Sequence, residues 1–489
     1  MKNMKLMVLF ISILFLVSCS TTTENSLIEI PKVKGSVKEQ KLSKQQLKEN
    51  SKEGIRLFEQ KKYLEAKALF EKGAAQDYIF SILDLAAMHR YGYGIPVDYK
   101  KTLQLYKRAE LLGSAIAVYR IGDMYRLGQG LKKNEEIALT YFRRSAAKDY
   151  SRAQNVVGLF YDEGRGSLEV NDELAVKWYR KAALQGLLVA QINLARMYER
   201  GEGVEQSYSD AFVWYFKAAN QNDASAQNAI GYMYRNGRGV DKSISDAIKW
   251  YKKASDAGLP AAQVNLGLMV LDGQGVEQDT EKAIELFQKA AVKNNSAGQY
   301  VLGRLYLQGR LIERDEAKGV GLIQKSANNN HAAAMNRLGM LYLSGIGVDK
   351  DRKLAYQWFK KSAEKSNVSA LVNIGAIYEE GLGVKQDYVE ALKWYHKAAS
   401  RGSSSAEYYI GLMYSNGQGV TEDDVIASQW FEKSANNGNS AALYRMGYIY
   451  EHGEGVLKNK NKAVYWYRKA ALKGNKKAKK KLINFGVAV

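Results

Sequence analysis

Across 489 residues the chain has one cysteine, three prolines and four histidines, and its 51 acidic residues face 72 lysines and arginines. With Cys19 alone, neither an internal disulfide nor a thiolate metal cluster can form. The histidines His89, His331, His396 and His452 share no i,i+4 spacing and sit near no cysteine, so no metal is expected. So few prolines leave the chain free to be helical almost throughout. An apolar run at residues 6–17 is too short to span a bilayer as a helix. The formal charge of +21 favours acidic partners and anionic surfaces over basic ones.

What the chain has instead is a repeat. The stretch 226–258 falls on itself when slid by 36 residues. Taking the Gly231 position as a marker, the register runs Ala86, Gly122, Gly158, Ala195, Gly231, Gly267, Gly303, Gly339, Gly375, Gly411, Gly447, with one step of 37 before Ala195. A period of this length means a stack of supersecondary units, which overrides the roughly three compact domains that length alone suggests. Within a unit, Ala226, Ile230 and Tyr234 share one helix face, and Ala247, Trp250, Tyr251 and Ala254 share another. Gly237 and Gly239 break the chain between them, and Gly258 closes the unit, as do Gly186, Asn222, Asn294, Asn330, Gly402, Gly438 and Gly474. No strand-like alternation competes, so the units are antiparallel helix pairs. All seven tryptophans (Trp178, Trp214, Trp250, Trp358, Trp394, Trp430, Trp466) occupy one repeat position. Their regularity reads as core packing, each ring burying roughly 150–250 Å².

The pattern A-x-x-x-L-G-x-x-Y-x-x-G-x-G-V followed by A-x-x-W-Y-x-K-A-A-x-x-G resembles the Sel1-like repeat, a relative of the tetratricopeptide repeat. Its clearest copies are 226–258, 370–402 and 442–474. The resemblance implies an all-α, right-handed α-solenoid of about eleven repeats at residues 81–475, presenting a concave surface to protein or peptide partners. In tetratricopeptide-like stacks the first helix of each hairpin lines that surface. The positions three before, one after and four after the marker are then the candidate contacts: Tyr119, Asn155, Asn228, Tyr300, Asn336, Tyr408 and Tyr444; Arg196, Tyr232, Arg304 and Tyr448; Arg126, Glu199, Arg235, Glu379 and Glu451. Tyr, Arg and Asn are side chains that carry binding energy or hydrogen-bond a peptide backbone.

The ends differ from the repeat. Lys2 and Lys5 precede the apolar run, and Leu16-Val17-Ser18-Cys19 resembles a bacterial lipobox. The resemblance implies a lipoprotein signal at 1–18, acylation of Cys19, and, with Ser20 next, sorting to the outer membrane. Residues 19–50 are polar, Lys-rich and poor in aromatics, which reads as a tether, with a nascent helix at 41–50. Residues 51–80, with Gly54, Leu57, Phe58, Tyr63, Ala66 and Phe70, resemble an ordinary tetratricopeptide hairpin and cap one end. Residues 476–489 supply a last first helix, capped outward by Lys476, Lys477, Lys479, Lys480 and Lys481. At 267–330 the aromatics fade: Val270 stands for Tyr, Leu286-Phe287 and Leu322-Ile323 for Trp-Tyr, and Leu311 for the second loop glycine. Drift within a tolerant core accounts for this; a changed groove is the alternative.

Enzyme motifs fail on context. The recurrent Gly-x-Gly follows a helix rather than a strand, so it is a turn and not a phosphate loop. Ser362-x-x-Lys365 matches a β-lactamase tetrad but lacks both companion motifs. Some cysteine-rich relatives of the repeat family are associated with β-lactam binding, and this chain lacks their paired cysteines. Lysines beside the Trp-Tyr pair, such as Lys177, Lys181, Lys249, Lys252, Lys253, Lys393 and Lys397, read as a solvated flank. The sequence therefore points to a non-enzymatic, cofactor-free scaffold in the cell envelope that binds protein or peptide partners and not nucleic acid. A cell-wall or β-lactam-acting hydrolase and a polysaccharide- or peptidoglycan-binding module are the alternatives.

Overall fold

The computed structural model describes residues 41–487, where twenty-five helices and no strand are found. Cys19 and the expected signal lie outside the described residues. No helix among the described residues is long and apolar enough to cross a membrane. The chain divides into two units after Leu112.

In the first unit, helices Lys44–Glu59 and Tyr63–Ala75 form one hairpin, and Ile79–Tyr91 and Tyr99–Leu111 a second. The opening helix starts at Lys44, ahead of the hairpin boundary expected at residue 51. The Ser43 hydroxyl accepts from the Gln46 amide at 3.2 Å while Gln46 Oε1 accepts from the Ser43 amide at 2.9 Å. This reciprocal cap fixes the first turn, and Leu47 is buried. Phe70 fills the space over Gly54, where a Cβ would lie 2.5 Å from the ring.

The second unit contains ten further hairpins and a closing helix, Lys476–Asn484. The hairpin of Ala224–Asn236 and Ile244–Asp256 shows how each is built. Asp223 caps the first helix, accepting from the Ala226 amide at 2.7 Å. The chain then leaves through Gly237 at φ 66°, where a left-handed conformation is needed. Gly239 has a different reason to be glycine. A Cβ there would meet the Tyr208 carbonyl oxygen at 2.1 Å, because the loop lies on the second helix of the preceding hairpin. Ser243 caps the second helix, which ends before Gly258 at φ 82°. Asn222, Asn294 and Asn330 take the same left-handed turn; so do Asp149 and Ser366, which composition did not single out.

The repeat marker is small because a ring sits against it. A Cβ is 2.7 Å from Tyr251 at Gly231, 2.5 Å from Tyr395 at Gly375 and 2.5 Å from Tyr467 at Gly447. At the residue following the tryptophan position the fully enclosed rings are therefore Tyr106, Phe142, Tyr179, Tyr251, Phe287, Phe359, Tyr395, Phe431 and Tyr467. Each such ring contributes about 3 kcal/mol by burial. The tryptophans pack on the core to different depths. Trp214, Trp358 and Trp466 are buried, and Trp178, Trp250, Trp394 and Trp430 are partly buried against it. Every one carries the lysine three residues later over its face, at 4.0 Å for Lys217 on Trp214 to 5.0 Å for Lys469 on Trp466. Lys181, Lys253, Lys361, Lys397 and Lys433 do the same on theirs. Part of the presumed solvated flank is thus a cation–π lid, since the helix places i and i+3 on one face.

Hairpins are joined by polar contacts too. Ser145, Ser326, Ser362 and Ser434 occupy one repeat position, and each hydroxyl donates to a carbonyl thirty residues earlier at 2.6–2.7 Å. Where aromatics fade, Val270, Leu286 and Ile323 are buried in their place beside Phe287, so the core continues with mostly aliphatic residues. Gly309 is left-handed at φ 62°, whereas Leu311 takes no positive φ, so this one loop departs from its neighbours.

Candidate functional site: the face of the first helices

The candidate contact positions lie on successive first helices of the second unit, and the structure sorts them into three kinds. Some are structural. Glu199, Glu379 and Glu451 accept hydrogen bonds from the buried hydroxyls of Tyr215, Tyr395 and Tyr467 at 2.9, 2.6 and 2.6 Å. Asp162 serves Tyr179 in the same way at 2.9 Å. These carboxylates satisfy core tyrosines, and where the ring is Phe287 or Phe359 the equivalent residues are Leu271 and Leu343. The sequence carries part of that signal, Glu199, Glu379 and Glu451 standing sixteen residues before Tyr and Leu271 and Leu343 sixteen before Phe, while Arg235 precedes Tyr251 and Ser415 precedes Phe431.

Others bind each other. Asn155, which is buried, accepts from Asn193 on the next first helix at 3.2 Å. Asn228 accepts from Asn265 at 2.9 Å and Asn336 from Asn373 at 2.8 Å. The Tyr119 ring packs on Phe142 and Tyr150 at 5.3 and 5.4 Å, and burial raises its hydroxyl pKa. Tyr408 leans on Phe431 at 5.5 Å and Tyr444 on Tyr467 at 5.5 Å. Arg126 pairs with Asp123 of its own helix. Arg235 reaches Gln274 of the next hairpin at 3.3 Å. The hydroxyl of Tyr251, which faces Arg235 where its counterparts face acids, finds no hydrogen-bond partner.

The third kind is available to a partner. Arg196 is exposed, and Tyr232 is 39% exposed with Arg238 over its ring at 5.3 Å. Tyr448 stacks on His452 at 4.0 Å with Arg445 over it at 5.1 Å. Tyr300, Arg304 and Asn336 come together in one cleft of about 390 Å³ across helices Ser296–Gln308 and Ala332–Ser344 and the start of Val368–Glu380. Arg337, which the position rule passed over, lines it as well. The rule was built on single helix faces, and residue 337 enters only because consecutive first helices offset their faces. A larger cleft of about 490 Å³ lies at the loop residues 276–282. There Asp279 is already engaged in capping, accepting from the Lys282 amide at 2.9 Å.

No cluster of histidine, cysteine and carboxylate able to hold a metal is present among the described residues. His331 instead caps a helix, its Nδ1 accepting from the Ala334 amide at 3.2 Å, and burial lowers its pKa. Ser362, the one serine with a nucleophile's motif, is fully buried and donates to the Ala332 carbonyl at 2.7 Å.

The whole periodic region, from residue 79 to residue 475, matches the Sel1 repeat in eleven consecutive copies, the first at 79–114 and the last at 440–475. The chain belongs to the Sel1 repeat family. Among solved Sel1 structures, a protective antigen present in uropathogenic Escherichia coli strains is 31% identical. That match covers 86% of this chain and 90% of the antigen, with a TM-score of 0.62. A Sel1 repeat protein from Oxalobacter formigenes is 34% identical over 50% of this chain and 99% of its own, at a TM-score of 0.46. Among curated proteins none matches this sequence. Sel1 solenoids typically serve as protein–protein interaction scaffolds and are generally non-enzymatic.

Proposed function

We propose that the protein is a membrane-anchored scaffold of the bacterial envelope, lipidated at Cys19, that gathers protein partners along the first-helix face of its Sel1 repeats. The observation that carries this reading is the cleft uniting Tyr300, Arg304 and Asn336 on that face. Tyr300 and Arg304 are left over once the tyrosine–carboxylate and asparagine pairs have been made, and Asn336 keeps its amide NH2 free beside its bond from Asn373. The lipobox-like Leu16-Val17-Ser18-Cys19 supports the anchor, and Ser20 supports the outer membrane. That a relative sharing most of its length is a protective antigen fits a position where an immune system meets it. Two or more acyl chains would hold such a protein stably where one would not.

Photo-crosslinking in living cells from Tyr232, Tyr300 and Arg304, with an outward second-helix position as control, tests the scaffold. Expected are discrete protein adducts from the three face positions and none from the control. Equal labelling of both would remove the face from consideration, and adducts lost to a competing polysaccharide would favour glycan binding. Cys19→Ala tests the anchor separately: the variant should no longer take up a fatty-acid probe or fractionate with membranes.

A further inference from the structure

The cleft across helices Ser296–Gln308, Ala332–Ser344 and Val368–Glu380 carries two guanidinium groups and no carboxylate. Arg304 lies over the Tyr300 ring at 5.6 Å, half of its role thereby taken up by the ring face. Arg337 has its Nε shielded from water and donating to nothing. No ion pair is found for either arginine among the described residues. The remaining polar lining, Gln308, Asn336, Asn367 and Ser369 with the Tyr300 hydroxyl, is uncharged. His331 adds no charge at neutral pH, since burial lowers its pKa and its ring nitrogen accepts a backbone bond. Arg337 is half-buried with its Nε left without an acceptor, and Arg304 is exposed, so the cleft presents two positive charges and no anion.

The arginine at this repeat position in the last hairpin, Arg445, shares the unpartnered Nε but has an anion beside it, its Nη2 lying 3.0 Å from the Glu454 carboxylate. The position equivalent to Glu454 in the repeat of Arg337 is Ile346, which offers no acceptor and is 37% exposed. Between these first helices the asparagine bridge is also missing: Tyr300 and Arg337 stand where Asn228 and Asn265 bond to each other. The cleft thus begins on a helix within the stretch 267–330 whose sequence departs from the repeat.

We propose that this cleft binds a carboxylate on an acidic peptide segment of a partner protein, with Arg337 and Arg304 holding the anion and Asn336 and Asn367 the adjoining backbone. The proposal rests on the reading that partners lie along the first-helix face, and it names their chemistry. Arginine suits the task because its planar fork matches a carboxylate with two parallel hydrogen bonds. A peptide occupant fits the uncharged amides beside it, whose NH2 groups can donate to main-chain carbonyls while their oxygens accept from Asn373 and the Ala370 amide.

The test is a selection of random peptides, displayed with free carboxyl termini, against the full-length protein. Enriched peptides are then synthesised and titrated by fluorescence anisotropy. Sequences rich in Asp, Glu or a required free C-terminus are expected, with affinity falling as salt rises. Amidating the C-terminus separates a terminal carboxylate from a side-chain one. Arg337→Met should weaken binding roughly tenfold or more. Ile346→Glu, which installs the carboxylate that Arg445 already has, should compete with the peptide and weaken binding comparably while leaving the melting temperature equal or higher. This second variant guards against mere unfolding by the first. Peptides that bind with no carboxylate requirement, or that keep their affinity in both variants, would overturn this proposal and leave the scaffold reading standing. Failure to enrich any peptide would overturn the proposal, and the absence of face-specific crosslinks would count separately against the scaffold itself.

Discussion

The Tyr395 hydroxyl donates to the Glu379 carboxylate at 2.6 Å, bridging the two helices of one hairpin from inside its core. Glu379 sits four residues after the marker Gly375, against which the Tyr395 ring is packed. One turn of the first helix therefore supplies both the space for the ring and the acceptor for its hydroxyl. Burial first, then this bond, raises the tyrosine pKa far above its ordinary value. Deleting the acceptor alone should be costly. Glu379→Leu is expected to destabilise by about 1–3 kcal/mol, the penalty for an unpaired buried hydroxyl. Adding Tyr395→Phe should recover most of it, because Leu343 with Phe359 is the pair that another repeat already uses. Urea midpoints of the two single variants and the double variant measure the coupling; additivity would mean that the bond contributes nothing.

Tyr251 is the counter-example within the chain. It is fully buried, its hydroxyl is unpartnered, and burial pushes its pKa up to about 12, with Arg235 acting in the opposite direction. The folded-state pKa lies above the unfolded one, so its share of stability is complete below pH ~10 and declines as pH rises toward 12, where the unfolded chain has already lost the proton. Denaturant midpoints followed between those values should fall less steeply in Tyr251→Phe than in the parent. Identical slopes would contradict the assignment.

Arg235→Glu should convert this hairpin to the arrangement of Tyr395 and Glu379. The Tyr251 hydroxyl gains an acceptor, and a gain of about 1 kcal/mol is expected. It would be read as a higher melting temperature; a lower one would show that the Arg235 contact to Gln274 matters more.

Gly375→Ala tests the packing of ring on marker. Its Cβ would lie 2.5 Å from Tyr395, so ring or helix must shift, at about 1–3 kcal/mol. The repeat with Ala195 at this position shows the accommodation: its ring, Tyr215, is 6% exposed where Tyr395 is 0%.

Ser362→Ala should lower stability by about 0.5–1.5 kcal/mol, since its hydroxyl joins adjacent hairpins through the Ala332 carbonyl. Nitrocefin turnover should be absent before and after the change. A serine-dependent hydrolysis would overturn the structural assignment and revive the enzyme reading.

The repeat, the helix pairs, the turns at Gly237 and Gly258 and the sites of left-handed Asn were all legible in the sequence, because each follows from residues within one turn or one period of each other. The candidate first-helix positions could be counted for the same reason, since they recur about every 36 residues. Misreadings arose where exposure and bonding depend on how the helices pack. The depth to which each tryptophan is enclosed varies from repeat to repeat, and Glu199, Glu379 and Glu451 look like surface until the tyrosine hydroxyls of the second helix are seen beneath them. Arg337 has nothing in its own helix to distinguish it.

Short-range chemistry and the 36-residue period thus determined the architecture, since a hairpin packs chiefly against its neighbours in the chain and periodicity propagates one local solution. Which polar groups are consumed inside that architecture, and which are left facing outward, was settled only by the tertiary structure. Satisfaction of a buried hydroxyl depends on atoms sixteen or more residues away, and that of the arginine two before the marker on a residue nine further on, Glu454 for Arg445 where the repeat of Arg337 has Ile346.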